Sequence, residues 1–142
     1  SDLQKLCEEK TLKHVIDCES DKVPAFFDSE KIVQVFYNLV SNAIKFSPDD
    51  GQITISIKYI TSQTYLIISI TDQGPGIPED EIDSIFDKFI QSTNTKSGAG
   101  GTGLGLSICK EIIKEHDGEI WCKNNQDKGA TFSFTLPAKG IE

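Results

Sequence analysis

Residues 52 to 72 constrain the fold more than any other part of the chain. QITISIKYI alternates Ile53, Ile55 and Ile57 with polar partners, TSQT makes a short connection, and YLIISITD follows as a second apolar run. Successive strand residues point to opposite faces, so this pattern is a hairpin with one face to bury. Two helical patterns can cover it. One spans about 29 to 46, and the other about 102 to 116, where Leu104, Ile108, Ile112 and Ile113 recur at helical spacing. TLKHVIDC at 11 to 18 reads as a strand and VPAFF at 23 to 27 as a short extended piece. EDEIDSIFDKF reads as a short acidic helix, and EIWCKN and ATFSFTLP as closing strands. The expectation is an α+β fold: a two-layer α/β sandwich, helices packed on one face of a mixed, mostly antiparallel sheet, with no repeat and no second domain.

The first helix raises a chemical question. Asp28 and Ser29 suit its start as caps. At ~100° per residue, Gln34, Asn38, Ser41, Asn42 and Lys45 share one side, while Ile32, Phe36, Leu39, Ala43 and Phe46 fall on the other. The polar stripe is either a solvated face or a ligand-binding one. Asparagine favours the second reading, because its amide competes with the helix backbone and costs stability that Lys or Glu would not.

Charge narrows the ligand. Fourteen Lys and Arg against 22 Asp and Glu give −8, with no basic run, which disfavours nucleic acid as a partner. Cys7, Cys18, Cys109 and Cys122 form no C-x-x-C pair and sit among apolar or helical residues; reduced thiols in a cytoplasmic setting fit better than zinc or disulfides. No apolar run is long enough to insert in a membrane. The absence of Met reads as a piece of something longer.

Two glycine clusters point to phosphate chemistry. In DQGPGIP, Pro75 between Gly74 and Gly76 makes a tight turn directly after an apolar strand and leaves Asp72 at the strand end. In GAGGTGLGLSI, glycines 98, 100, 101, 103 and 105 precede or open a helix, where unpaired N–H groups and the positive dipole end favour anions. A glycine-rich helix start without chemical meaning is the other reading. No P-loop sequence occurs, nor do the H-R-D and D-F-G motifs of protein kinases.

Taken together, NLVSNAIKFS, DQGPGIP, IFDKF and GGTGLGLSI resemble, in order and spacing, the asparagine, first glycine, phenylalanine and second glycine boxes of the catalytic, ATP-binding domain of sensor histidine kinases. That family belongs to the GHKL superfamily, which has a Bergerat-type fold. The resemblance covers about residues 11 to 137 and implies ATP and Mg2+ as cofactors. Asn38 would supply an oxygen to the metal, with Asn42 close to metal and phosphates and Lys45 neutralising phosphate charge. Asp72 would accept a hydrogen bond from the adenine amine. Gly74 and Gly76 would let the backbone approach the nucleotide, with Ile77 and Phe46 as apolar walls. Gly101, Thr102, Gly103, Leu104, Gly105 and Leu106 would line the phosphates. Residues 88 to 100 would form a lid carrying Lys88 and Lys96.

Departures from the family pattern carry information too. Gln34 stands where many members carry Glu, and an amide takes no proton, so it argues for transfer to an acceptor that brings its own base rather than for free hydrolysis. Neither histidine suits the acceptor role: His14 lies in an expected strand, and His116 ends the second helix. The implied partners are a histidine-bearing dimerisation hairpin of the parent chain and, through it, a response regulator, with residues 1 to 10 as remnant linker and 11 to 142 as the catalytic domain. A serine-directed protein kinase of the same superfamily and an ATP-binding module without catalysis are the alternatives.

Overall fold

The computed structural model describes residues 13–18, 29–60, 64–87 and 105–137. Five strands, β1 (Lys13–Cys18), β2 (Gln52–Ile60), β3 (Tyr65–Thr71), β4 (Ile120–Asn124) and β5 (Ala130–Pro137), form one sheet in the order β1-β2-β3-β5-β4. β1 runs parallel to β2 and every other pairing is antiparallel, as the mixed, mostly antiparallel expectation had it. The hairpin register opposes Ile55 to Ile70 and Ile57 to Ile68. Pairing continues from Ile68 to Phe134 and from Ile70 to Phe132, so a single face of β2, β3 and β5 gathers the apolar residues. The other face carries the Thr and Ser of these strands, where Ser69 and Ser133 pair at 2.8 Å and Thr71 and Thr131 at 3.0 Å.

Helices α1 (Ser29–Phe46) and α2 (Gly105–Glu115) pack against each other and against the sheet. Val35, Leu39, Ala43 and Ile44 of α1 and Cys109, Ile112 and Ile113 of α2 are buried with Ile53, Leu66, Ile70, Phe134 and Leu136 in one core. The helices are antiparallel: Lys31 near the start of α1 reaches Glu115 at the end of α2 at 3.9 Å, and Asn38 meets Cys109. α2 ends in a left-handed turn. Asp117 takes φ 60°, Gly118 N–H donates to the Ile113 carbonyl at 2.9 Å, and Asp117 N–H to the Lys114 carbonyl at 3.0 Å. His116 sits at that end, its Nδ1 2.8 Å from the Ile112 carbonyl.

Two local expectations change. The acidic segment is a 3-10 turn over Glu79–Ser84 rather than a helix through residue 89. Tight bonds from Glu81 N–H to the Pro78 carbonyl (2.8 Å) and from Asp87 N–H to the Ser84 carbonyl (2.9 Å) hold it, and Ser84 Oγ donates back to the Glu81 carbonyl. The adjacent Ile85 and Phe86 are then both buried, Phe86 lying edge-on to Phe132 at 6.1 Å. The polar stripe of α1 is also less open than its wheel suggests. Ser41 is buried, its hydroxyl returned to the Asn38 carbonyl at 3.1 Å, and Asn38 and Asn42 are half-buried because α2 packs beside them. The expected piece at 23–27 and lid at 88–100 lie outside the described residues.

Candidate functional site

The site is built where β3 stops. An antiparallel partner of Ala130 would exchange two backbone hydrogen bonds with it, and Asp72 completes only half of that pattern with its main chain. Asp72 N–H donates to the Ala130 carbonyl at 2.9 Å, but Ala130 N–H donates to the side-chain Oδ1 of Asp72 at 3.1 Å. Gly74 N–H reaches the same oxygen at 2.9 Å. The displaced Asp72 carbonyl accepts Asn125 Nδ2 at 3.0 Å. Asp72 is only 7% exposed, and burial pushes its carboxyl above the ordinary 3.8, with the two backbone hydrogen bonds pulling the other way. Both protein contacts fall on Oδ1. Among the described residues none donates to Oδ2, which leaves an acceptor oxygen of this buried residue for a donor from outside.

The turn after Asp72 is held from three sides. Gln73 Oε1 accepts the Gln52 N–H at the start of β2, at 3.0 Å. A side chain at Gly74 would come within 2.5 Å of the Phe46 carbonyl, so the turn lies against the last residue of α1. At Gly76, φ is +78° and the missing Cβ direction faces Asn124 Oδ1. Asn124, from the end of β4, pairs its amide with both backbone groups of the buried Ile77: Oδ1 accepts the N–H at 2.8 Å and Nδ2 donates to the carbonyl at 2.6 Å. Gly129 closes the back of the site. At φ +82° it packs so tightly on the Asp72 carbonyl and Gln73 that any side chain would overlap them.

A second group of residues lines the helix pair. Asn38 Nδ2 donates to the sulfur of Cys109 at 3.6 Å, which turns the amide nitrogen toward α2. The Cys109 thiol is fully buried and pushed up to about 11 by burial, against the pull of that hydrogen bond. Antiparallel helices rise ~1.5 Å per residue each, so one turn beyond the Asn38–Cys109 contact Asn42 lies level with the start of α2 at Gly105. Gly105 is exposed, and a Cβ there would meet nothing within 4 Å. Lys45 and Gln34 are exposed on α1; Phe46 and Leu106 are half-buried. Asn38, Asn42 and the first residue of α2 therefore form one group, and Asp72, Gly74, Gly76 and Ile77 another, joined where Gly74 meets Phe46. Lys88, Lys96, Gly101, Thr102, Gly103 and Leu104 lie outside the described residues.

Sequence reasoning missed Asn124, Asn125, Gly129 and Cys109 as parts of this site. The run KNNQDKG at the end of a strand could have pointed to the asparagines, since Asn side chains at turns bond nearby backbone. Among the described residues no group of three or more His, Cys, Asp or Glu could hold a metal. The donors available to a hard cation are amide oxygens, and the Asn38 nitrogen's engagement with sulfur leaves its oxygen for that use, which fits Mg2+. No helix among the described residues is long and apolar enough to cross a membrane.

A helix layer on an open sheet, with a buried carboxylate at a strand end and an exposed glycine opening the second helix, defines an α/β sandwich. Residues 27–140 match the family of histidine kinase-, DNA gyrase B- and HSP90-like ATPases, and the chain belongs to it as an ATP-binding domain of the sensor histidine kinase type. It is 45% identical over 130 residues to the adaptive-response sensory kinase SasA of Gloeothece citriformis, covering 92% of this chain and 33% of that protein. The catalytic domain of histidine kinase ThkA superposes with a TM-score of 0.84 at 32% identity, over 96% of this chain and 86% of that one. ThkA in complex with the response regulator TrrA aligns at 30% identity and a TM-score of 0.80, over 96% of this chain and 37% of that one. The chain thus spans about a third of the SasA relative's length.

Proposed function

We infer that this domain binds Mg2+-ATP and donates the γ-phosphoryl group to a histidine on a separate helical hairpin of its parent chain, in two-component signalling. The observation that carries the reading is Asp72, a buried carboxylate whose Oδ1 is taken by two backbone N–H groups and whose Oδ2 is not. Such an oxygen suits the exocyclic amine of adenine, and Ile77 and Phe46 offer apolar surface to the ring. Gly105 opens α2 with nothing among the described residues within 4 Å of where its side chain would stand, and Asn42 and the exposed Lys45 lie at the same end of the helix pair. Bound there, Mg2+ would neutralise charge on the β- and γ-phosphates. Asn38 and Asn42 would hold it through their amide oxygens.

Transfer then depends on placement. The acceptor imidazole nitrogen forms a bond to the γ-phosphorus as the bond to the β-phosphate oxygen breaks, and ADP leaves with that electron pair. Gln34 cannot take a proton, so water in the same position is not activated by this side chain, and the domain is a slow ATPase but a competent donor. The response regulator receives the group from the hairpin, the kind of partner seen with ThkA.

The test combines this domain, the separately expressed histidine-bearing hairpin of its parent, and ATP labelled at the γ position. The hairpin should become labelled with an acid-labile, base-stable phosphate while the domain stays unlabelled. Label on the domain itself, or hydrolysis by the domain alone at about 1 per second or faster, a rate ordinary for enzymes, would refute the reading.

A further inference from the structure

The geometry points to Asn124 as a positioning residue for the nucleotide base: its side-chain amide pairs with both backbone groups of Ile77 and thereby fixes the Gly76–Ile77 edge of the adenine slot relative to Asp72. This inference rests on the reading of Asp72 as the base-binding carboxylate.

The segment from Asp72 to Pro78 belongs to neither strand nor helix. Its buried backbone groups still need partners. Asn124 supplies them at Ile77 as a neighbouring strand would, accepting at 2.8 Å and donating at 2.6 Å. Three further features show that the pairing is built in. Gly76 adopts a left-handed φ with its Cβ direction pointed at Asn124 Oδ1, so the turn's one left-handed residue sits against the amide. Asn124 Nδ2 also comes within 3.4 Å of Glu79 Oε1, a second acceptor that keeps the nitrogen on the carbonyl side. Asn125 uses its own Nδ2 on the Asp72 carbonyl at 3.0 Å. Consecutive residues of one strand end thus hold the two ends of the turn, one at Asp72 and the other at Ile77.

The Asn124 side chain is occupied by Ile77 and Glu79. Its effect on a nucleotide comes through how often the turn holds the shape that fits adenine. Apparent affinity scales with the fraction of molecules already in the competent shape. Removing both hydrogen bonds should lower that fraction, and the loss should fall on recognition of the base while the metal's contribution stays.

The experiment is calorimetric titration of ADP and GDP, each with and without Mg2+, on wild type, Asn124→Ala and Asn124→Asp, with thermal melts of all three. Wild type should prefer ADP. Asn124→Ala should weaken metal-free ADP binding by roughly tenfold, in line with two ordinary hydrogen bonds. It should bring the ADP-over-GDP ratio toward one and leave the factor by which Mg2+ strengthens ADP binding unchanged. Asn124→Asp keeps an acceptor for the Ile77 N–H but sets its second oxygen against the Ile77 carbonyl and Glu79, and should weaken ADP binding at least as much as alanine does; it decides the matter should the alanine variant not fold. ADP affinity within twofold of wild type in a folded variant would overturn the role of Asn124. Equal losses for ADP and GDP would also overturn it, as marking general loosening. Absence of base preference in wild type would instead remove the Asp72 reading, and the role of Asn124 with it.

Discussion

Replacing Asp72 with asparagine tests the proposed base-binding site at its centre. The two shapes are alike, but the chemistry of the outward-facing atom reverses. Gly74 N–H at 2.9 Å and Ala130 N–H at 3.1 Å both need an acceptor, so the new amide must turn its oxygen to them. Its NH2 then stands where Oδ2 was. Adenine presents an amine in this region and guanine a carbonyl. For ATP, a hydrogen bond to a charged acceptor is lost, about 1.5 to 3 kcal/mol, and a donor is left facing a donor, about 1 to 3 kcal/mol more. At ~1.4 kcal/mol per decade, ATP affinity should fall by roughly a hundredfold or more. GTP affinity should hold or rise, because the amide can now donate to the guanine carbonyl.

Stability should move independently. Burial holds the Asp72 carboxyl above 3.8, so between that value and its folded one the native chain carries more protons than the unfolded chain. Stability therefore declines as pH rises through that window, and the decline is complete above the folded value. Asparagine carries no charge to desolvate and keeps the acceptor oxygen, so Asp72→Asn should melt near neutral pH no lower than wild type and show no decline of this origin. Titration calorimetry with ATP and GTP, beside melts across the acidic range, reads both effects. An ATP affinity within about threefold of wild type, or a marked drop in melting temperature, would refute the argument.

Asn38→Ala should abolish most of the strengthening of ADP binding by Mg2+ while leaving metal-free binding within a few fold, as titrations with and without the metal would show. Gly129→Ala combines a left-handed φ with overlap on the Asp72 carbonyl, and should cost about 2 to 4 kcal/mol in a denaturant titration. Burial pushes Cys109 to about 11 and Cys122 to about 12 from 9.0, so the folded chain keeps protons that the unfolded chain releases, and stability should fall as pH rises above 9.0. The same two thiols should react with an alkylating reagent only at the rate of unfolding, which a peptide map after timed labelling would show.

The parts of this fold legible in the sequence are those written in local periodicity. Ile53, Ile55 and Ile57 announce a strand because alternate residues share a face, and Leu39 and Ala43 announce a helix face because four residues nearly complete a turn. The turn at DQGPGIP was legible from proline and glycine chemistry. What hid were contacts with no period. Asn124 meets Ile77 across 47 positions and Asn125 meets Asp72 across 53, and a strand end reading KNNQDKG looks like an ordinary polar turn. The acidic segment misled because Ile82, Ile85 and Phe86 satisfy helical spacing, whereas Pro78 and the Ser84 hydroxyl shape a tighter turn. Ser41 misled because a hydroxyl bonded to its own helix can be buried like an apolar group.

Gly74 shows how the two halves of the site are coupled. Its amide binds the carboxylate of Asp72, while its missing side chain makes room for the Phe46 carbonyl, the last of the helix that carries Asn38, Asn42 and Lys45. A backbone contact so close admits little sliding, since packed interiors resist compression rather than yield to it. The distance from the Asp72 carboxylate to the Asn38 and Asn42 amides is therefore set by main chain, through the contact between the end of α1 and the start of the Asp72 turn. At the far end the Cβ direction of Gly105 meets nothing within 4 Å among the described residues. The Asp72 half is thus fixed by contacts within the protein, whereas the first residue of α2 carries no such contact among the described residues.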